Sequence, residues 1–128
     1  MPDYDASHYD PPAPVAHVEL RRLDGQAVPE QALLLIDTGA DVTLVPRFVV
    51  EKLGVKLTEV DTELIAFDGS RSRAQAVELD LVFLKRRYRG RYLVVGSEQG
   101  VLGRDVLAHI VLLLDGPRGS WDEVQISK

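Results

Sequence analysis

Apolar residues in this chain come in short runs separated by turn-forming residues, a pattern that predicts an all-β domain with one or two short helices. Val15 to Leu23 reads as a first strand closed by an Asp24-Gly25 turn. Ala27 to Ile36 reads as a second, in which Pro29, lacking an N–H, suits an edge or a bulge. Thr43 to Val45 forms a short strand. Pro46 suits the first position of a helix through about Lys52, with Gly54 as its terminating residue. Val60 to Phe67 and Arg73 to Phe83 flank Asp68-Gly69-Ser70, where Asp-Gly is a strong hairpin signal, and the later part of the second run alternates as a half-buried strand does. A further hairpin joins that segment to Arg89–Val95 across Lys85-Arg86-Arg87. After Val101-Leu102-Gly103 follow a short helix over Arg104 to Ala108, a buried strand over Ile110 to Leu114, a turn at Asp115-Gly116-Pro117 and a last strand from Trp121 to Ile126.

Composition narrows the picture only modestly. The chain of 128 residues, 45% apolar and 27% charged with a formal net charge of -5, is the size of one domain. We divide it into a flexible N-terminal arm, residues 1–14, with four prolines and three aspartates, and a single folded domain, residues 15–128. The absence of cysteine removes disulfides, thiolate catalysis and Cys-based zinc sites. A metal site would need His8, His17 and His109 to converge, and we expect neither a metal nor another cofactor. The start Met1-Pro-Asp-Tyr-Asp has neither the cationic nor the apolar region of a signal peptide, and no apolar run reaches membrane-spanning length. A cytoplasmic protein without a membrane partner is expected.

The chemistry is concentrated at Asp37-Thr38-Gly39, which closes the apolar run Ala32-Leu33-Leu34-Leu35-Ile36. A carboxylate delivered by a buried strand is costly unless compensated, and such charges are retained mainly for chemistry. Asp-Thr-Gly is also ordinary turn chemistry, so context decides its weight. Gly39 permits close backbone approach, and its N–H can reach the Asp37 carboxylate. No Gly-x-Ser-x-Gly context supports a serine hydrolase. Lys85, Arg86, Arg87, Arg89 and Arg91, interleaved with Tyr88 and Tyr92, admit a nucleic-acid patch, but a solvated hairpin and protected edge strand fit the acidic chain better. His109 reads as a packing or capping residue and Trp121 as core or interface.

Two separated motifs in order, Leu34 through Pro46 around Asp37-Thr38-Gly39 and Val101-Leu102-Gly103-Arg104-Asp105-Val106-Leu107, give the chain a resemblance to the retropepsins, the single-domain aspartic proteases of retroviruses and their cellular relatives. The resemblance spans roughly Val15 to Leu114. It implies a closed β-barrel of the acid-protease type with one lobe per chain, and an aspartic endopeptidase that works as a homodimer on a peptide or protein substrate. In such enzymes two carboxylates share a proton across a water, one acting as base and the other as acid. With one Asp-Thr-Gly per chain, the resemblance makes Asp37 of two copies the dyad.

Further roles follow from the same resemblance. Thr38 would bond across the two-fold axis, and Asp41 would pair with Arg104 beneath the turn, as a planar guanidinium suits. Asp105 fits the family's Asn or Asp after the arginine. Ala40 stands where bilobal relatives often carry a hydroxyl, so the dyad should titrate higher than in stomach-type enzymes. Ile65 to Ser70 would form a flap, with Ala66, Phe67, Asp68 and Gly69 against the substrate beside Ala40 and Asp41. Leu35, Val101 and Phe67 would wall an apolar cleft. The alternative is a catalytically silent domain of the same fold serving dimerisation or peptide binding.

Overall fold

The computed structural model describes residues 1–65 and 69–125. Its strands in chain order are β1 (Tyr4–Asp5), β2 (Ala13–Arg21), β3 (Glu30–Ile36), β4 (Leu44–Pro46), β5 (Thr58–Ile65), β6 (Arg71–Phe83), β7 (Arg86–Val95), β8 (Gly100–Leu102), β9 (Leu112–Asp115) and β10 (Ser120–Glu123). Two short helices, α1 (Arg47–Leu53) and α2 (Arg104–Leu107), interrupt them. Strands β2-β3-β8-β4-β7-β6 pair in that order, and a further β6–β2 pairing closes the ring into a six-stranded barrel. Closure leaves these six strands without a free edge.

The core fills the barrel through period-two patterning. Val18 and Leu20 on β2, Leu34 and Ile36 on β3, and Leu79 and Leu81 on β6 are all buried. Helix α1 adds Val49, Val50 and Leu53 and ends at Gly54, which takes the left-handed conformation at φ 75° and donates to Val50 and Glu51. Pro46 is the last residue of β4 and the N-cap of α1, so the helix starts at Arg47, one position after the start expected from sequence.

The hairpins read from sequence are present as β2–β3, β5–β6 and β6–β7, all antiparallel. The β6–β7 turn places Leu84 and Lys85 at positive φ, with Arg86 already in β7. Ala66, Phe67 and Asp68, the expected tip of the β5–β6 hairpin, lie outside the described residues, as does Ile126.

Two expectations are corrected. The N-terminal segment is held rather than loose: Tyr4 and Asp5 pair with Pro14 and Ala13, the Tyr4 N–H donates to the Gly119 carbonyl, and Pro2 accepts from the Trp121 N–H. Non-local backbone bonds supply the order that its composition lacks. The apolar run Ile110–Leu114 is not a buried strand: among the described residues β9 pairs with β10 alone, and Val111, Leu113 and Leu114 are about half exposed. Trp121 anchors that hairpin, its ring 5.8 Å from Phe83 and its indole N–H donating to Val15 at 2.9 Å. Among the described residues, no helix is long and apolar enough to cross a membrane.

Candidate active site

Strand β3 lies between β2 and β8 and ends at Ile36, so Asp37 opens the turn that follows. The Asp37 N–H donates to Leu102 on the parallel strand β8, so the turn starts from a fixed point. The chain then reverses tightly. Gly39 N–H donates to Asp37 Oδ1 at 2.8 Å, and Ala40 N–H donates to the Asp37 carbonyl at 3.2 Å. A side chain at residue 39 would press on the carboxylate, since a Cβ there would lie 3.1 Å from Asp37 Oδ1. The side chain of Asp37 is partly exposed, Thr38 is exposed, and neither is in an ion pair among the described residues. The arrangement presents a carboxylate oriented by one backbone N–H, beside a hydroxyl that has no hydrogen-bond partner among the described residues.

Beneath the turn, Thr43, Gly103, Arg104 and Asp105 lock the two motifs together. Buried Thr43 donates from Oγ1 to Asp105 Oδ1 at 2.6 Å and from its N–H to Oδ2 at 3.0 Å, while Oγ1 accepts from Gly103 N–H at 3.0 Å. Gly103 has an extended backbone, and its requirement is steric: a Cβ there would stand 2.6 Å from the backbone of Val42. Gly100 is tighter still, with its virtual Cβ 2.0 Å from the Leu44 carbonyl oxygen.

The expected Asp41–Arg104 ion pair is not formed. Arg104 Nη1 instead donates to the Thr38 carbonyl at 2.7 Å, and its N–H donates to Ala40 at 2.8 Å. Asp41 is exposed and takes no ion-pair partner among the described residues. An exposed carboxylate keeps its hydration, whereas a turn carbonyl at that distance offers the guanidinium a fixed acceptor. Arg104 therefore supports the turn through its backbone rather than through Asp41.

Leu35 and Val101 face each other in register across β3 and β8, both half-buried, with Ala40 and Asp41 in the turn that follows β3. Gly69 lies at the exposed β5–β6 hairpin, at φ 84°. The structure therefore groups Leu35, Asp37 to Asp41, Val101 and Arg104 around the end of β3. Sequence reading missed Thr43. The signal was available, because a threonine inside Val42-Thr43-Leu44-Val45, if buried, needs a hydrogen-bond partner, and Asp105 is the carboxylate within the second motif.

The basic cluster is largely engaged. Arg87 and Arg89 flank the buried Asp80 at 3.7 and 3.0 Å, and Arg86 pairs with Glu123. No group of three or more His, Asp or Glu residues suited to hold a metal ion occurs among the described residues.

The fold has a counterpart in solved structures. The chain is similar to EIAV protease complexed with the inhibitor HBY-793, with a TM-score of 0.59 and 21% sequence identity over 76% of this chain and 86% of that one. No family model and no curated protein matches the sequence. The protein has the retropepsin-like fold, a single lobe of the acid-protease barrel.

Proposed function

We propose that the chain is an aspartic endopeptidase whose active site forms between two copies, each contributing Asp37. The observation that carries the reading is the single carboxylate held by Gly39 N–H at 2.8 Å at the end of β3, on a turn braced from below and open to solvent above. One carboxylate cannot serve as both acid and base. A second Asp37 brought within a few ångströms would share one proton with the first, because like charges that close cannot both stay ionised. One carboxylate then takes a proton from water as the water attacks the peptide carbonyl, and the other protonates the developing oxyanion. The Thr38 hydroxyl, without a partner among the described residues, is suited to bond across the two-fold axis.

Leu35 and Val101 would border the scissile bond and favour apolar side chains there. The β5–β6 hairpin would close over an extended peptide, holding it through backbone bonds. Ala40 withholds a hydroxyl from the dyad, so the activity optimum should be less acidic than that of stomach-type enzymes. Digestion of a peptide library across pH, with wild type and Asp37→Asn side by side, tests the reading. The wild type should cut and the variant should not; an Asp37→Asn protein that still cleaves overturns it.

A further inference from the structure

We propose that the outer wall built from β2, β6 and β7 is an exosite for a protein substrate, where Lys85, Arg87, Arg89 and Arg91 bind an extended acidic segment; this rests on the peptidase reading above and adds a substrate class to it. The strand register sets the row. Arg87, Arg89 and Arg91 alternate along β7 opposite Val82, Asp80 and Glu78 of β6, so they share one face at intervals of about 7 Å. Arg21 of β2 joins that face opposite Asp80. Lys85 adjoins it through a depression of about 550 Å³, which it lines with Arg21, Arg87, Val82 and Leu84. Here Arg21, Lys85, Arg87, Arg89 and Arg91 stand against Glu19, Glu78 and Asp80, on a chain whose formal net charge is -5. An extended segment repeats its same-side residues at the same interval, so alternate acids would meet the row in step.

Asp80 makes this row a prepared surface. Its side chain is 3% exposed, and Arg89 donates to it from Nε at 3.0 Å and from Nη2 at 3.2 Å, while Arg87 Nε stands 3.7 Å away. The two arginine side chains nevertheless remain 58% and 61% exposed, so a buried carboxylate orients them and leaves their other N–H donors open to a ligand. Glu19 is held by Arg21 at 2.8 Å. Lys85 and Arg91 have no ion-pair partner among the described residues.

The turn between β6 and β7 supplies an independent observation. Leu84 and Lys85 are the two residues between Phe83 and Arg86, and both take positive φ, 52° and 65°, where Asn-Gly is the relaxed choice. Leu84 offsets its strain by packing against the core, but exposed Lys85 gains nothing comparable inside the chain. Strain kept at an exposed cation points to binding rather than folding. The occupant is peptide rather than nucleic acid, because Tyr88 and Tyr92 lie opposite buried Leu81 and Val77 on the barrel side of β7. Among the described residues, the arginine face of β7 therefore has no aromatic platform for stacking bases.

Fluorescence anisotropy of a labelled peptide alternating glutamate and threonine, titrated with Asp37→Asn protein, tests the surface without cleavage of the probe. The peptide should bind, its glutamine counterpart should bind at least tenfold more weakly, and added salt should weaken the first. Lys85→Gly and Arg91→Gln together should cost about tenfold in affinity. Arg118→Gln, which removes a cation between β9 and β10, should cost nothing. Lys85→Gly alone should raise the thermal midpoint while lowering affinity, a divergence that a structural lysine would not give. With the wild type, joining the acidic segment to a cleaved peptide should lower KM rather than raise kcat, and the double variant should lose that gain.

Equal binding of the glutamate and glutamine peptides, or indifference to the double variant, overturns the exosite and leaves the peptidase reading standing. Wall-dependent binding by a chain whose wild type cleaves no peptide supports the surface and overturns the peptidase reading. An oligothymidine that binds more tightly than the acidic peptide, and is lost in the same double variant, assigns the wall to nucleic acid and overturns the proposal. Lys85→Gly that loses stability and affinity together makes the turn structural and overturns the part of Lys85 in the site.

Discussion

Thr43 and Asp105, sixty-two residues apart, are joined by two hydrogen bonds of 2.6 and 3.0 Å, and this contact fixes the turn that carries Asp37 on helix α2. Thr43 is fully buried and its hydroxyl also accepts from Gly103, so one hydroxyl serves two groups. Thr43→Val keeps shape and volume but leaves the Gly103 N–H without that acceptor and Asp105 with one donor fewer. Unfolding in urea should show a loss of about 1–3 kcal/mol, the range for stranding buried polar partners. A loss below about 0.5 kcal/mol would show that water replaces the hydroxyl at no penalty.

Close backbone approach predicts a sharp contrast among glycines. Gly103→Ala drives a methyl to 2.6 Å from the Val42 backbone, which cannot move without shifting the turn after β3. The variant should lose about 3 kcal/mol or more, at the upper end of overpacking effects. Gly96→Ala meets nothing within 4 Å, and its thermal midpoint should stay near that of the wild type. Equal behaviour of the two would remove the steric account of Gly103.

Much of this was legible in the sequence because it is local. The β2–β3, β5–β6 and β6–β7 hairpins follow from alternating runs around turn residues, and the stop at Gly54 follows from glycine's access to positive φ. What escaped was set by distant partners. The Pro2–Trp121 bond orders an arm whose composition signals disorder, and an apolar run such as Val111–Leu114 does not say whether its own chain or another covers it. The resemblance located Arg104 under the turn, yet its acceptor is the Thr38 carbonyl rather than the Asp41 carboxylate, because a side-chain pairing is decided by solvation and geometry that spacing does not encode.

Tyr92 predicts an alkaline limit to stability. Its hydroxyl donates to the Tyr88 carbonyl at 2.6 Å, and burial, with the nearby charges of Asp105 and Asp80, pushes the phenol well above its ordinary value. A folded-state pKa raised above the unfolded one leaves stability intact below about pH 10, where both states hold the proton. Above that the unfolded chain ionises first, and stability falls as pH rises toward the folded value. Tyr92→Phe should be less stable at pH 7 through the lost hydrogen bond and show a shallower decline above pH 10. Parallel wild-type and variant curves from pH 8 to 12 would contradict this assignment.

Trp121 ties the terminal hairpin to the barrel by both area and a hydrogen bond. Trp121→Phe keeps an aromatic ring against Phe83 but removes the donor to Val15, and the loss should be about 1–3 kcal/mol. Because the hairpin carries β9, hydrogen exchange in residues 112–123 should rise more than in β2 or β6. Uniform acceleration through the barrel would mean that the hairpin and barrel open as one unit.

The corrected role of Arg104 gives the most direct test of how the turn is held. If Arg104 paired with Asp41, removing either charge would have the same effect on the turn. The observed donor is Arg104 Nη1 and the acceptor is the Thr38 carbonyl, while Asp41 stands in solvent. Asp41→Asn should therefore change unfolding free energy by less than about 0.5 kcal/mol, as exposed substitutions do. Arg104→Ala leaves the Thr38 carbonyl without its donor and lets the turn carrying Asp37 drift, and catalytic groups displaced by an ångström lose on the order of a hundredfold in rate. Arg104→Lys restores a charge but not the fork, and kcat/KM should lie between those of alanine and the wild type. Asp41 also borders the proposed substrate cleft, so stability rather than rate decides the comparison for that variant. Equal destabilisation by Asp41→Asn and Arg104→Ala would restore the ion pair and remove the backbone support argued from the 2.7 Å bond.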